Sequence, residues 1–165
     1  MSPDELFLER LLTALDSLGL EALIVGSVAA AVQGSPILTQ DVDLLIRDTE
    51  PNREKLVRLA AAIGAARPIA VSELSTTLTL IGGALPVDIL FDRLPGNLSF
   101  PSLRSRSVQV AVGAAMALVA SLSDVIASKE SAGRPKDLAQ LPILRETLRV
   151  KRALEEAAAS LGGKV

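Results

Sequence analysis

The chain has 165 residues and a mass of 17.2 kDa; 49% of its residues are hydrophobic, 22% are charged, and the formal net charge is −2. That length suits a single domain, which can bury about 70% of its unfolded surface without a metal or disulfide staple. The absence of Cys and His excludes disulfides, thiolate zinc sites, cysteine nucleophiles and imidazole bases, so any metal would be held by oxygen, as Mg²⁺, Mn²⁺ and Ca²⁺ are.

In chain order, Ser2-Pro3-Asp4-Glu5 reads as a helix start, with Ser at the cap, Pro in the first turn and Glu three residues after the cap. Leu8, Leu11, Leu12, Leu15 and Leu18 follow at helical spacing, and Gly19 ends the run. Residues 22–25 form a short apolar strand broken by Gly26-Ser27, and small residues over 28–32 make a short helix closing at Gly34. The stretch 41–47 reads as a strand. A helix is expected over 52–65, with Leu56, Leu59, Ala60 and Ile63 facing the core.

Strands are expected at about 69–74, 76–81 and 85–91, the last two joined as a hairpin by Gly82-Gly83. The run 107–112 alternates like a further strand. Ser121-Leu122-Ser123-Asp124 has capping-box spacing and opens a helix stopping near Gly133. Pro135 starts the next helix, which Pro142 is expected to divide. Within 143–161, Leu144, Leu148 and Leu154 are expected to pack on their own domain, with a homodimer or partner contact as the alternative. The expected whole is a single α/β (α+β) domain over 1–165. It has a mixed, partly antiparallel sheet flanked by helices, and a helical C-terminal part at about 121–161.

Charge is unevenly spread. Residues 1–50 carry 2 basic and 9 acidic side chains, whereas residues 129–152 carry 7 basic and 3 acidic ones. That asymmetry suits a metal–polyphosphate site better than generic nucleic-acid binding. With only Phe7, Phe91 and Phe100 as aromatics, a base-stacking platform cannot be built. The acidic start is unlike a signal peptide, and the nearly charge-free run over 108–123 is too short to span a membrane. A cytoplasmic location without membrane contact is the expectation.

The chemistry concentrates in Asp41 and Asp43, two residues apart in one strand and so on one face. Two such charges on a half-buried strand repel, and a divalent cation between them removes the penalty. Asp88, within Pro86-Val87-Asp88-Ile89-Leu90, is a third strand-borne acid. Carboxylates converging from two strands are a usual framework for Mg²⁺ in phosphoryl transfer. Upstream, Gly26-Ser27 at a strand-to-helix junction offers close backbone approach, a hydroxyl and unpaired helix N–H groups to an anion.

Together, Leu23-Ile24-Val25-Gly26-Ser27, Gly34, Thr39-Gln40-Asp41-Val42-Asp43-Leu44 and Val87-Asp88-Ile89 resemble the nucleotidyltransferase superfamily of the DNA polymerase β type. Asp124-Val125-Ile126-Ala127-Ser128-Lys129 and Gly133-Arg134-Pro135-Lys136-Asp137-Leu138 narrow the resemblance to small bacterial nucleotidyltransferases related to abortive-infection (AbiEii-type) toxins of toxin–antitoxin systems. The resemblance implies a nucleotidyltransferase fold and metal-dependent transfer of a nucleotidyl group from an NTP to an acceptor hydroxyl on RNA, protein or a small molecule. It implies that Asp41, Asp43 and Asp88 are catalytic and bind Mg²⁺ or Mn²⁺. Gly26, Ser27, Lys129, Arg134, Lys136 and Asp137 would hold the nucleotide, and tRNA, a protein acceptor or an antitoxin would be candidate partners.

The chain departs from the family pattern at Ile37 and Gln40, where basic residues are common, and at Gln140, where a second acid is common. A catalytically degenerate binding module or complex subunit is therefore the alternative, and a metal-dependent phosphohydrolase is a third reading.

Overall fold

The computed structural model describes residues 1–66, 69–70 and 77–163, the pair 69–70 by its backbone alone. The first helix, α1 (Pro3–Ser17), is set by its cap: Ser2 Oγ accepts from the Glu5 N–H at 3.2 Å, and the Glu5 carboxylate accepts from the Ser2 N–H at 2.7 Å. Its buried stripe is Phe7, Leu8, Leu11, Leu12 and Leu15. Strand β1 (Leu23–Val25), helix α2 (Gly26–Ala31), strand β2 (Val42–Ile46) and helix α3 (Glu50–Ala62) follow. Thr49 caps α3, and Leu56, Leu59, Ala60 and Ile63 are buried as their spacing predicts.

Next come β3 (Ile69–Ala70), β4 (Leu78–Leu80) and β5 (Val87–Phe91). The strand expected over 69–74 is seen only at 69–70; its remainder lies outside the described residues. A short ribbon of β6 (Arg93–Leu94) and β7 (Leu98–Ser99) leads into α4 (Phe100–Ser105), then β8 (Val108–Val112) and β9 (Ala115–Val119). Helices α5 (Leu122–Ala132) and α6 (Pro135–Gly162) complete the chain.

The sheet is mixed, in the spatial order β3-β4-β5-β2-β1-β9-β8. Strand β2 is central, antiparallel to β1 and parallel to β5, while β4 returns antiparallel to β5 as the Gly82-Gly83 signal predicts. Leu23, Leu44, Leu45, Ile46, Leu80 and Ile89 have no exposed surface, so the middle of the sheet is covered on both faces. Such burial fixes register, because a slip of one residue would turn Asp43 and Asp88 into the core.

Four elements have no counterpart in the sequence reading: β6, β7, α4 and β9. Their signals are short ones, the Ser99 cap whose Oγ accepts from Ser102 N–H and the Gly113 turn, with φ of +58°, that folds β8 onto β9. The expected break at Pro142 is not observed, and α6 runs unbroken from Pro135 to Gly162. Pro142 has no N–H, so the Leu138 carbonyl loses its helical partner. Leu138 itself is 49% exposed. Leu141 and Leu144, both buried, hold the helix against the domain on either side of the proline. No helix among the described residues is long and apolar enough to cross a membrane.

Because Leu44 lies at the centre of this sheet with no exposed surface, Leu44→Ala is expected to destabilise the protein by about 3 kcal/mol, measured as a lower urea midpoint at unchanged slope.

Candidate active site

Three neighbouring strands assemble the site by register. Val25 of β1 lies opposite Asp43 of β2, and Asp43 lies opposite Asp88 of β5. Asp41 immediately precedes β2, two residues before Asp43 and on the same face. The outcome is a cluster in which Asp41, Asp43 and Asp88, all half-buried, each offer an oxygen within 4.8 Å of the others.

On the next strand, Thr79 lies opposite Asp88 and its hydroxyl donates to Asp88 Oδ1 at 2.7 Å. That bond orients the third carboxylate. Thr79 was not singled out from sequence, although it is the polar residue between Leu78 and Leu80 in an apolar strand.

Gly26 closes the site from the β1 side. Its φ of +65° is one that residues with a side chain rarely adopt. A Cβ built there would also collide with the Asp43 carboxylate. Glycine is thus demanded twice, by backbone conformation and by the close approach of an acid.

Burial pushes the Asp43 carboxyl up to about 7, and the nearby Asp41 and Asp88 charges add to that, while Lys129 and Arg134 act in the opposite direction. The excess of negative charge, carried on oxygen donors alone, fits a hard divalent cation such as Mg²⁺ or Mn²⁺.

The opposite side comes from the helices. Lys129 on α5 and Asp137 on α6 are almost fully buried and pair at 3.4 Å. Lys129 Nζ also donates to Ser27 Oγ at 3.2 Å, and Ser27 donates to Gln140 Oε1 at 3.3 Å. The more exposed Arg134 donates through Nε to Asp137 at 2.6 Å and through Nη2 at 3.2 Å. Burial opposes the charge on Asp137, but the bonds and charges of Arg134 and Lys129 outweigh it and hold the carboxyl below its usual range. A buried ammonium needs such a partner, since removing it would leave an uncompensated charge.

Gly26, Asp43, Asp88, Lys129, Arg134 and Asp137 line one cleft of about 400 Å³. Asp41 joins them through the acidic cluster and Ser27 through Lys129. Lys136 is exposed on the first turn of α6 and does not line the cleft. Leu90, Leu94, Pro95 and Ala132 add apolar surface to the lining. Leu94 and Pro95 carry no sequence signal, because only the β6–β7 ribbon brings them there.

Two outcomes are expected from the raised Asp43 carboxyl. Cation binding requires its ionised form, so Mn²⁺ affinity followed by calorimetry should fall by up to about tenfold per pH unit below about 7, with a proton released on binding. In metal-free protein the native state holds this proton between the ordinary carboxyl range and pH 7 while the unfolded chain has lost it. Stability should therefore decline as pH rises through that window, and urea titrations should show the decline removed in Asp43→Asn.

No family model matches the chain, and no curated protein matches it in sequence. Solved structures do. The chain is similar to ANT(2'')-Ia in complex with adenylyl-2''-tobramycin, with a TM-score of 0.65 and 14% identity over 99% of this chain and 100% of that one. It is similar to the lincosamide antibiotic adenylyltransferase LnuA, lincomycin-bound, with a TM-score of 0.62 and 12% identity over 89% and 98%. An antigenic nucleotidyltransferase-like protein from Paracoccidioides brasiliensis gives a TM-score of 0.60 and 17% identity over 91% and 78%. At such identities what is shared is the architecture: the chain has the fold of the nucleotidyltransferases.

Proposed function

We propose that the protein is a metal-dependent nucleotidyltransferase that moves a nucleotidyl group from an NTP to an acceptor hydroxyl. The observation that carries this reading is the convergence of Asp41, Asp43 and Asp88 in one cluster, in a cleft that also holds Gly26 and Lys129. Asp41, Asp43 and Asp88 would hold Mg²⁺ or Mn²⁺. Such a cation, when bound, makes the acceptor hydroxyl more acidic and neutralises charge developing on the leaving pyrophosphate.

The chain's own groups do the rest. Gly26 leaves the space beside Asp43 open to the nucleotide, and Ser27, Lys129 and Arg134 supply donors to its phosphates. Asp137 fixes the direction of both cations. Lys136, exposed beside them, would meet only the outer phosphates or solvent. The acceptor oxygen bonds to the α-phosphorus, the bond to pyrophosphate breaks, and Asp88, oriented by Thr79, receives the hydroxyl proton. The aliphatic wall of Leu90, Leu94 and Pro95 takes the base by contact area, in a chain without Trp or Tyr.

The similarity to ANT(2'')-Ia and LnuA, nearly complete for both chains, favours a small-molecule hydroxyl as acceptor. A toxin role with an antitoxin partner, implied by the sequence resemblance, would instead require tRNA or a protein as acceptor. A non-catalytic nucleotide-binding module is the second reading. Ile37 is buried, and so the position where the family commonly has a basic residue cannot reach a phosphate here.

The test is pyrophosphate release from each NTP with Mg²⁺ or Mn²⁺, in the presence of aminoglycosides, lincosamides, tRNA or cell protein. Pyrophosphate with a nucleotidylated acceptor is the expected outcome, and Asp43→Asn should lower the rate by at least about 1000-fold. Orthophosphate would indicate a phosphohydrolase, and binding without turnover would indicate the module. Thr79→Val should lower kcat by roughly tenfold to a hundredfold with little change in KM, because it removes one hydrogen bond to a charged group that positions the proton acceptor.

A further inference from the structure

The β6–β7 ribbon stands apart from the seven-stranded sheet. Its pairing is two residues long, Arg93 with Ser99 and Leu94 with Leu98, and so short a hairpin does not hold itself in water. Its place is fixed from its ends. At the stem, Asp92 ties it to the end of β2. The Asp92 N–H donates to the Ile46 carbonyl at 2.9 Å, its carboxylate accepts from the Asp48 N–H at 2.9 Å, and its carbonyl accepts from the Phe100 N–H at 2.7 Å. Leu94, 7% exposed, anchors the first strand in the core.

The tip is held differently. Pro95, Gly96 and Asn97 form an exposed turn, closed by a hydrogen bond from the Arg93 guanidinium to the Asn97 amide oxygen. Gly96 lies directly on α5. A Cβ built there would stand 2.6 Å from Ser131 Oγ, 3.3 Å from Ser131 Cβ and 3.9 Å from the Ala127 carbonyl oxygen. The ribbon thus runs from the end of β5, the strand of Asp88, to the helix of Lys129. Pro95, the residue before the seat, lines the cleft that both strand and helix line.

Resting on the reading of the cleft as a nucleotide site, we propose that the seat of Gly96 on Ser131 positions Pro95 against the nucleoside. Ser131 is then a positioning residue, acting through the ribbon without touching the ligand. The two halves of an NTP meet different groups. Lys129, Arg134 and a cation at the acids act on the phosphates, a charge that inorganic triphosphate carries as well. The apolar contact with Leu90, Leu94 and Pro95 acts on the nucleoside alone, and the ribbon therefore sets how far the site prefers an NTP to bare triphosphate.

Calorimetry with Mn²⁺ separates the halves, with each NTP as the whole ligand and inorganic triphosphate as the charged part. Wild-type protein should bind the NTP more tightly. Ser131→Ile sets two branches at Cβ beneath the tip where serine has one. Position 131 is exposed, and Gly96, whose φ of +88° suits glycine, is left in place. The NTP dissociation constant should rise by roughly tenfold, with inorganic triphosphate affinity and the circular dichroism spectrum unchanged. Pro95→Ala should give a comparable selective loss, and the double variant should lose no more than the larger single loss, because both substitutions act on one contact. Equal loss of both ligands in Ser131→Ile, loss of neither, or losses that add in the double variant would each overturn the proposal. Wild-type protein that binds inorganic triphosphate as tightly as an NTP would overturn it and leave the phosphate site standing. Wild-type protein that binds neither ligand would remove the nucleotide reading, and the proposal with it.

Discussion

The mutual repulsion of Asp41, Asp43 and Asp88 is the constraint around which the molecule is organised. Each acid offers an oxygen within 4.8 Å of the others, an arrangement that relaxes apart on any flexible support. It persists because the strands beneath it cannot move. Val42, Leu44 and Ile89 have 1% or less of their surface exposed, and the β2–β5 register pairs Asp43 with Asp88 through residues locked in that core. Hydrophobic burial, a non-directional force, thereby sets a directional electrostatic site. The Asp43 carboxyl is displaced to about 7 chiefly by that burial, and the crowding of Asp41 and Asp88 adds to it.

A second layer joins the helices to the sheet. Lys129 links α5 to Asp137 of α6 and to Ser27 of α2, and Ser27 continues to Gln140. These bonds stitch three helices around the open end of β1 and β2. The first two turns of α6 thus belong to the site. The middle of the helix belongs to the core through Leu141 and Leu144, and its last turns, over 153–163, are exposed. Pro142 is tolerated inside the helix because those buried leucines flank it.

What the sequence made legible follows from range. The period of two in β2 placed Asp41 and Asp43 on one face, and the caps at Ser2 and Ser121 marked α1 and α5. The Asp88 strand was visible from its apolar neighbours and its convergence with Asp41 and Asp43 from the chemistry of strand-borne acids, but its pairing opposite Asp43 was not, because register between strands is not written in local pattern. Thr79 was missed for that same reason. Leu94 and Pro95 depend on a two-residue ribbon, and no periodicity can be read over so short a span. Lys129, Arg134 and Asp137 were found from motif likeness, and Lys136, taken from that motif, lies outside the cleft. Pro142 misled because local propensity argues for a break while long-range packing decides for continuity. In α6 the stripe of Leu144, Leu148 and Leu154 was split by the fold, the first two turning inward and the third outward.

The contact between Gly26 and Asp43 has a consequence for how such a sequence can drift. A methyl group at position 26 would meet the Asp43 carboxylate and would also need an unfavourable backbone angle. Shortening the side chain at 43 would remove the collision but leave the angle, and with it the acid would be gone. Neither residue has a tolerated single step open to it. The two positions are therefore expected to be inherited as a unit, free to vary only in lineages that have already abandoned the acidic cluster.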